Sequence, residues 1–195
     1  MKRRMKMVIL IDCDNVMCML QERVIEIFNG RYNKNYTLDD FTDYNIENNL
    51  PVQEAIDFKS IYGESGLYET IKPINGAQNG IRKLIDNGHN VFIVTDASPN
   101  TYGEKVAFIK HYFPFIDESH IVAMKHKEYF RCDIMIEDNL QNLLAKPYYD
   151  RIVMDYPWNR NAHDEVYGIK RCTNWEEIVA AVEEFYKQDE ELMSN

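Results

Sequence analysis

Short apolar runs bounded by polar residues recur along the chain: 7–12 (MVILID), 91–96 (VFIVTD), 133–138 (DIMIED) and 151–155 (RIVMD). A weaker fifth lies at 121–124 (IVAM). All are rich in Ile and Val, and none alternates with polar residues. That pattern predicts parallel strands covered on both faces.

Helical periods lie between them. Ala77, Ile81, Leu84 and Ile85 share one face of a stretch that ends at Gly88, a residue suited to the position after a helix. Val106, Ile109 and Phe113 group in the same way. Trp175, Ile178, Val179, Val182, Phe185 and Tyr186 form a stripe, preceded by Asn174 and Glu177 at the spacing of a capping box. Strands alternating with helices predict βαβ units and an α/β fold with a parallel sheet.

One region breaks the rhythm. Residues 18–72 contain no comparable buried strand. An amphipathic helix (Leu20, Val24, Ile27, Phe28) is followed by a polar stretch with the aromatics Tyr32, Tyr36, Phe41, Tyr44, Phe58, Tyr62 and Tyr68. So long a stretch without a strand exceeds an ordinary crossover loop. It predicts a small, mainly helical cap over 18–72, inserted into an α/β core made of 1–17 and 73–195. The acidic end, KQDEELMSN, reads as frayed.

Composition adds limits. The 195 residues are 45% hydrophobic and 28% charged, enough for one domain with a substantial core and no need of a disulfide or metal staple. Cys13, Cys18, Cys132 and Cys172 form no CxxC pair and no Cys/His metal spacing, so they read as reduced thiols of a cytoplasmic protein. The basic start imitates a signal peptide, but its apolar run is too short and Asp12 ends it. No run reaches membrane-spanning length. A formal net charge of −10 argues against gripping long nucleic acid, yet leaves room for a small anionic ligand beside a local basic cluster.

The candidate chemistry lies at the strand ends: Asp12 and Asp14 after the first run, Asp96 after the second, Glu137 and Asp138 at the fourth. In an open parallel sheet these ends form one edge, where ligands bind. Two carboxylates about 4 Å apart repel by roughly 4 kcal/mol at an effective dielectric of 20. A convergent set therefore calls for shared protons or a cation, and all-oxygen donors suit Mg²⁺. Any single strand-terminal Asp is more simply a turn former or helix cap; it is the set, with D-x-D and E-D, that favours chemistry.

These residues resemble a known family. IDCDNV is similar to the D-x-D-x-[TV] motif of the haloacid-dehalogenase-like (HAD) phosphohydrolases, VFIVTD to their second motif, EKVAFIKHYF to the lysine-bearing third and DIMIEDN to the acidic fourth. KPINGA, the placing of Lys127 before the fourth motif, and MDYPWNR with RCTNWEEI resemble the 5′(3′)-deoxyribonucleotidase branch with its bacterial and phage nucleotidases. The resemblance implies a HAD-like Rossmannoid three-layer fold and a Mg²⁺-dependent phosphomonoesterase acting on (deoxy)nucleoside monophosphates through an aspartyl-phosphate. By the same resemblance Asp12 is the nucleophile and Asp14 the general acid and base. Asp12, Asp138 and the main-chain carbonyl of Asp14 hold Mg²⁺. Thr95 and Lys105, with Asp96 beside them, bind phosphate. Glu137 orients metal-bound water or Lys105. Lys125 and Lys127 reach substrate phosphate or base, against the plainer reading of a solvated basic loop; Tyr68 stacks on a base, against the plainer reading of local core.

Three departures from the family pattern stand out. Asn15 replaces a Gly but tolerates left-handed geometry. Asp96 adds negative charge beside the phosphate site, and Glu137 replaces Asp. Leu20 falls where relatives often carry an aromatic. Two other readings remain at this stage: a phosphatase of another small phosphomonoester such as a sugar phosphate, and a non-catalytic sensor of Mg²⁺ and nucleotide. A dehalogenase is disfavoured because it needs no second acid. A homodimer is left open.

Overall fold

The computed structural model describes residues 6–146 and 148–192. Its centre is a six-stranded, all-parallel sheet: β1 (Val8–Ile11), β2 (Asn90–Thr95), β3 (Ile121–Ala123), β4 (Ile134–Glu137), β5 (Asp150–Met154) and β6 (Ile169–Cys172). The spatial order is β3-β2-β1-β4-β5-β6. The chain builds outward from β1 to one side, then returns to lay β4 against the other side of β1. The crevice between β1 and β4 is therefore the topological switch point, where such sheets bind ligands.

Five of these strands are the apolar runs of the sequence. β6 is the exception. Its residues, IKRC, bury only Ile169 and Cys172 at the sheet edge, so no continuous apolar run announces it. The central strands are covered on both faces. Ile9 and Ile11 belong to one core cluster, while Leu10 between them packs with Val94, Met135 and Val153 in another. Register brings Ile11 level with Ile93 of β2 and Ile136 of β4, which sets the strand ends at nearly one height.

Helices cover the sheet: α4 (Ala77–Asp86), α5 (Pro99–Tyr112), α6 (Leu140–Leu144), α7 (Asp164–Tyr167) and α8 (Trp175–Leu192). Asn174 Oδ1 accepts from Glu177 N (2.9 Å) at the start of α8, while the Glu177 carboxylate accepts from Thr173 N (2.7 Å) and not from Asn174 N. The helix continues through Leu192, so the acidic stretch is ordered further than its composition predicts; residues 193–195 lie outside those described. Trp175 is buried against α4. A Cβ on Gly80 would stand 2.6 Å from its ring, which explains the absence of a side chain there. The Trp175 indole N–H also donates to the Val16 carbonyl at 2.8 Å, tying α8 to the turn after β1.

Between β1 and α4 run α1 (Leu20–Tyr32), α2 (Val52–Ile61) and α3 (Leu67–Thr70), with 3-10 turns at Leu38–Asp40 and Ile46–Asn48. No β-strand lies between β1 and β2 among the described residues, as the polar aromatic stretch predicts. Most of its aromatics form local core: the Phe28, Phe41 and Phe58 rings are buried, with centroids 5.2 and 5.0 Å apart along that series. No helix is long and apolar enough to cross a membrane among the described residues.

Candidate active site

Asp12 directly follows β1, and its N–H still donates to Ile136 O of β4 (3.0 Å). Beyond it the chain turns sharply. Asn15 adopts φ 55°, the left-handed geometry its amide side chain tolerates. That side chain also holds the turn. Its Nδ2 donates to Asp138 Oδ2 (3.0 Å), and its Oδ1 accepts from Gln21 N (2.9 Å) at the start of α1. The D-x-D segment is thus fixed to both β4 and α1.

Asp12, Glu137 and Asp138 are all buried, and each offers an oxygen within 4.8 Å of those of the other two. Lys127, 1% exposed, sits among them. Its Nζ pairs with Asp12 Oδ1 (2.6 Å) and Glu137 Oε1 (2.5 Å). Asn142 Nδ2 (2.8 Å) and Asn139 N (3.2 Å) complete the bonds of Glu137. Three carboxylates against one ammonium leave two negative charges uncompensated. The pKa directions record this. Burial, Glu137 and Asp14 push Asp12 up to about 7, with Lys127 offsetting only part. Burial, Glu137 and Asp12 raise Asp138 well above the carboxylate range. Burial alone would lower Lys127, but its two carboxylates raise it. A buried all-oxygen set with this charge deficit fits a hard divalent cation. Among the described residues, Asp12 Oδ2 and Asp138 Oδ1 carry no hydrogen bond and remain free to hold one.

A second lysine serves the other acid. Lys105, on α5, donates to Asp14 Oδ2 (2.6 Å), Thr95 Oγ1 (2.9 Å) and the Asp96 carbonyl (2.6 Å). Burial lowers its pKa, but Asp14 and its neighbours outweigh that and raise it. Tyr68 OH donates to Asp14 Oδ1 (2.7 Å), and Lys105 Nζ lies 5.5 Å from the centre of the Tyr68 ring. Glu104 clamps this arrangement by accepting from Gly66 N (2.8 Å), which anchors α3 to α5.

The structure decides where three of the sequence-named residues lie. Glu137 pairs with Lys127 and not with Lys105, because Lys127 follows β3 at the same sheet edge as β4. Lys127 is neither solvated nor free for a base; it is the cation between Asp12 and Glu137. Tyr68 is 4% exposed and bonded to Asp14, so its ring offers no open face for stacking. Lys125 and Asp96 are exposed and line the cavity described next.

A cavity of about 620 Å³ opens over Asp12, Asp14 and Asp138, within the range of small-molecule sites. Its opposite wall comes from the residues between β1 and α4: Leu20, Gln21, Phe41, Tyr44, Ile46 and Tyr62. Tyr44 is 49% exposed as a residue, yet burial of its hydroxyl and then the charges of Asp138, Asp12 and Glu137 raise its pKa. Tyr62 OH donates to Gln21 Oε1. By the family resemblance the cap aromatics could stack on a base, with local core the plainer reading; sequence could not separate the two, because an aromatic in a cap looks the same whether it faces core or cavity. Trp158 of the YPWN segment lines the rim, stacked on Tyr156 at 4.3 Å. Asn159, also unassigned, donates to the Asp138 and Met154 carbonyls (2.9 and 2.8 Å) and is held by Arg171 (2.6 Å).

The all-parallel sheet, the switch-point acids and the D-x-D turn define a HAD-like fold. Solved structures share it. The HAD family hydrolase from Deinococcus radiodurans R1, with bound phosphate and sodium, aligns at TM-score 0.64 and 14% identity, covering 94% of this chain and 97% of that one. The HAD-hydrolase YfnB from Bacillus subtilis, bound to magnesium, aligns at TM-score 0.57 and 17% identity, covering 90% and 98%. The chain belongs to the family described as 5′ nucleotidase, deoxy (Pyrimidine), cytosolic type C protein, which it matches over residues 6–185. It is similar to the 5′(3′)-deoxyribonucleotidase of Bacillus subtilis (strain 168), 33% identical over 114 residues, or 57% of this chain and 63% of the relative's length.

Proposed function

We propose that the protein is a Mg²⁺-dependent phosphomonoesterase that hydrolyses (deoxy)nucleoside monophosphates to nucleoside and phosphate. The observation that carries this reading is the state of Asp12. Lys127 fixes one of its oxygens, Asp138 lies beside it, and its Oδ2 faces a cavity with no hydrogen bond among the described residues. That is the arrangement a nucleophile requires.

Asp12 Oδ2 attacks phosphorus and forms an aspartyl-phosphate. Asp14 protonates the leaving nucleoside oxygen, then takes a proton from the water that hydrolyses the intermediate. Thr95, at the end of β2 on the side of β1 away from Asp138, and Lys105 beside it supply donors to the phosphoryl oxygens. Asp12 and Asp138, with the Asp14 main-chain carbonyl, would hold the Mg²⁺, with Glu137 and Lys127 behind them. When bound, the ion neutralises phosphoryl charge that would otherwise be repelled by the carboxylates. Residues 18–72 act as the cap over the leaving group, with Tyr44, Phe41 and Tyr62 toward the nucleoside and Lys125 at the phosphate side.

Family membership and the deoxyribonucleotidase relative support the substrate class. The test is phosphate release from a panel of nucleoside and sugar monophosphates, with Mg²⁺ and with chelator. Turnover of nucleotides that stops on chelation is expected. Preference for sugar phosphates overturns the substrate, and nucleotide binding without release overturns the enzyme in favour of a sensor.

A further inference from the structure

Cys13 and Cys18 flank Asp14 and take no part in the chemistry above. The turn between them is closed by Met17 N (2.9 Å) and Cys18 N (3.2 Å) donating to Cys13 O, and by Asn15 N donating to Cys18 O (2.9 Å). It folds the two thiols toward each other. Both Sγ atoms and a carboxylate oxygen of Asp14 lie within 4.8 Å of one another, and Cys18 Sγ donates to Asp14 Oδ1 at 3.8 Å. Residues that show no CxxC spacing in sequence thus present two sulfurs and one oxygen to a single point. Cys132 and Cys172 join no such group among the described residues.

With metal–sulfur bonds of about 2.3 Å, the donors of a four-coordinate zinc-class ion stand roughly 3.8 Å apart, so the group needs to contract by about 1 Å at most. Sulfur donors distinguish this place from the all-oxygen centre at Asp12 and Asp138, because soft ligands select soft ions. Both cysteines are fully buried, while Asp14 lines the cavity and gives an ion its way in.

We propose that Cys13, Cys18 and Asp14 form a second cation site, which takes a thiophilic divalent ion of the zinc class. Two metal–sulfur bonds form as both thiol protons are released; with the Asp14 carboxylate as third donor the centre carries one negative charge, which the Lys105 ammonium on Asp14 Oδ2 balances. Asp14 is the third donor and gives up its hydrogen bond from Tyr68. Loss of turnover on binding rests on the role given to Asp14 in the proposed function; the binding itself does not.

The test titrates the protein with Cd²⁺ in excess Mg²⁺ and follows the ultraviolet thiolate-to-cadmium charge-transfer band. A Cys132→Ser/Cys172→Ser double variant keeps only the proposed pair and is expected to retain the wild-type band at one ion per chain. Cys13→Ser and Cys18→Ser are each expected to lose the band and weaken binding by about tenfold or more. No band in the wild type, a band lost in the double variant, or wild-type affinity in either single variant overturns the site. If a single variant fails to fold, the double variant decides. A band with undiminished phosphate release leaves the site standing and overturns the role of Asp14.

Discussion

Each acid of the D-x-D turn has its own lysine, and the two pairs differ in kind. The Lys127–Asp12 pair joins the end of β1 to a short 3-10 turn (Lys127–Tyr129) after β3 and is almost closed to water, with side chains 1% and 10% exposed. The Lys105–Asp14 pair is more open on its acid side, 4% and 21%, and one of its hydrogen bonds comes from Tyr68 of α3, outside the sheet core. A nucleophile must stay in one position through the cycle. A group that gives and takes protons needs a partner that can let go. On the proposed mechanism the same residue types, lysine and aspartate, serve two purposes through burial and the source of the third contact.

Changes to the buried pair should have the largest effects. Asp12→Asn removes the attacking oxygen at nearly constant shape; phosphate release should fall by about 10⁴-fold or more while circular dichroism and Tm stay near wild type. Lys127→Ala should cost both function and stability. Turnover is expected to fall about 10³-fold. Leaving Asp12 and Glu137 without their ammonium should cost about 3–5 kcal/mol, read by denaturant unfolding. Lys105→Ala sharpens the contrast. It should lose about 10²-fold in turnover but only about 1–2 kcal/mol of stability, because water can reach Asp14. Equal destabilisation by the two alanine variants would break the comparison.

The buried pair should also govern the pH response of the metal-free protein. Asp12 moves from the ordinary 3.8 in the unfolded chain to about 7 in the folded one, chiefly through burial. The folded state therefore holds the extra proton, and its stability falls as pH rises from about 4 to about 7. In chelator, Tm should drop by several degrees between pH 5 and pH 8, on the order of 5 °C. Mg²⁺ should recover more of it at pH 8 than at pH 5. A Tm in chelator that rises with pH over that window contradicts the assignment. The smallest effect belongs to the outer contact. Tyr68→Phe should lower kcat by about tenfold or less, with Tm within about 3 °C of wild type.

Much of the site was legible because parallel strands place their carboxyl ends together. Asp12, Asp14, Thr95, Glu137 and Asp138 are all read from where apolar runs stop, and the D-x-D turn geometry follows from the tolerance of Asn15. The burial of Lys127 was not legible for a local reason: MKHKEYFR reads equally as a solvated basic loop or a substrate contact, and burial of a lysine is a tertiary event. The available signal was its position just past β3, on the same edge as the acids. Tyr68 and Tyr44 show the opposite limit. Both are tyrosines of one polar stretch, yet one is sealed against Asp14 and the other opens to the cavity, a difference set by packing between elements distant in sequence. β6 escaped because an edge strand needs only one covered face.

The bond from the Trp175 indole to Val16 ties the first motif to a helix 159 residues further along the chain. All the carboxylates of the site are translated before that anchor, so the turn gains its last tertiary contact only after its acids exist. A polypeptide ending between Asn142 and Trp175 would carry every acid and lysine of the site and still lack this anchor.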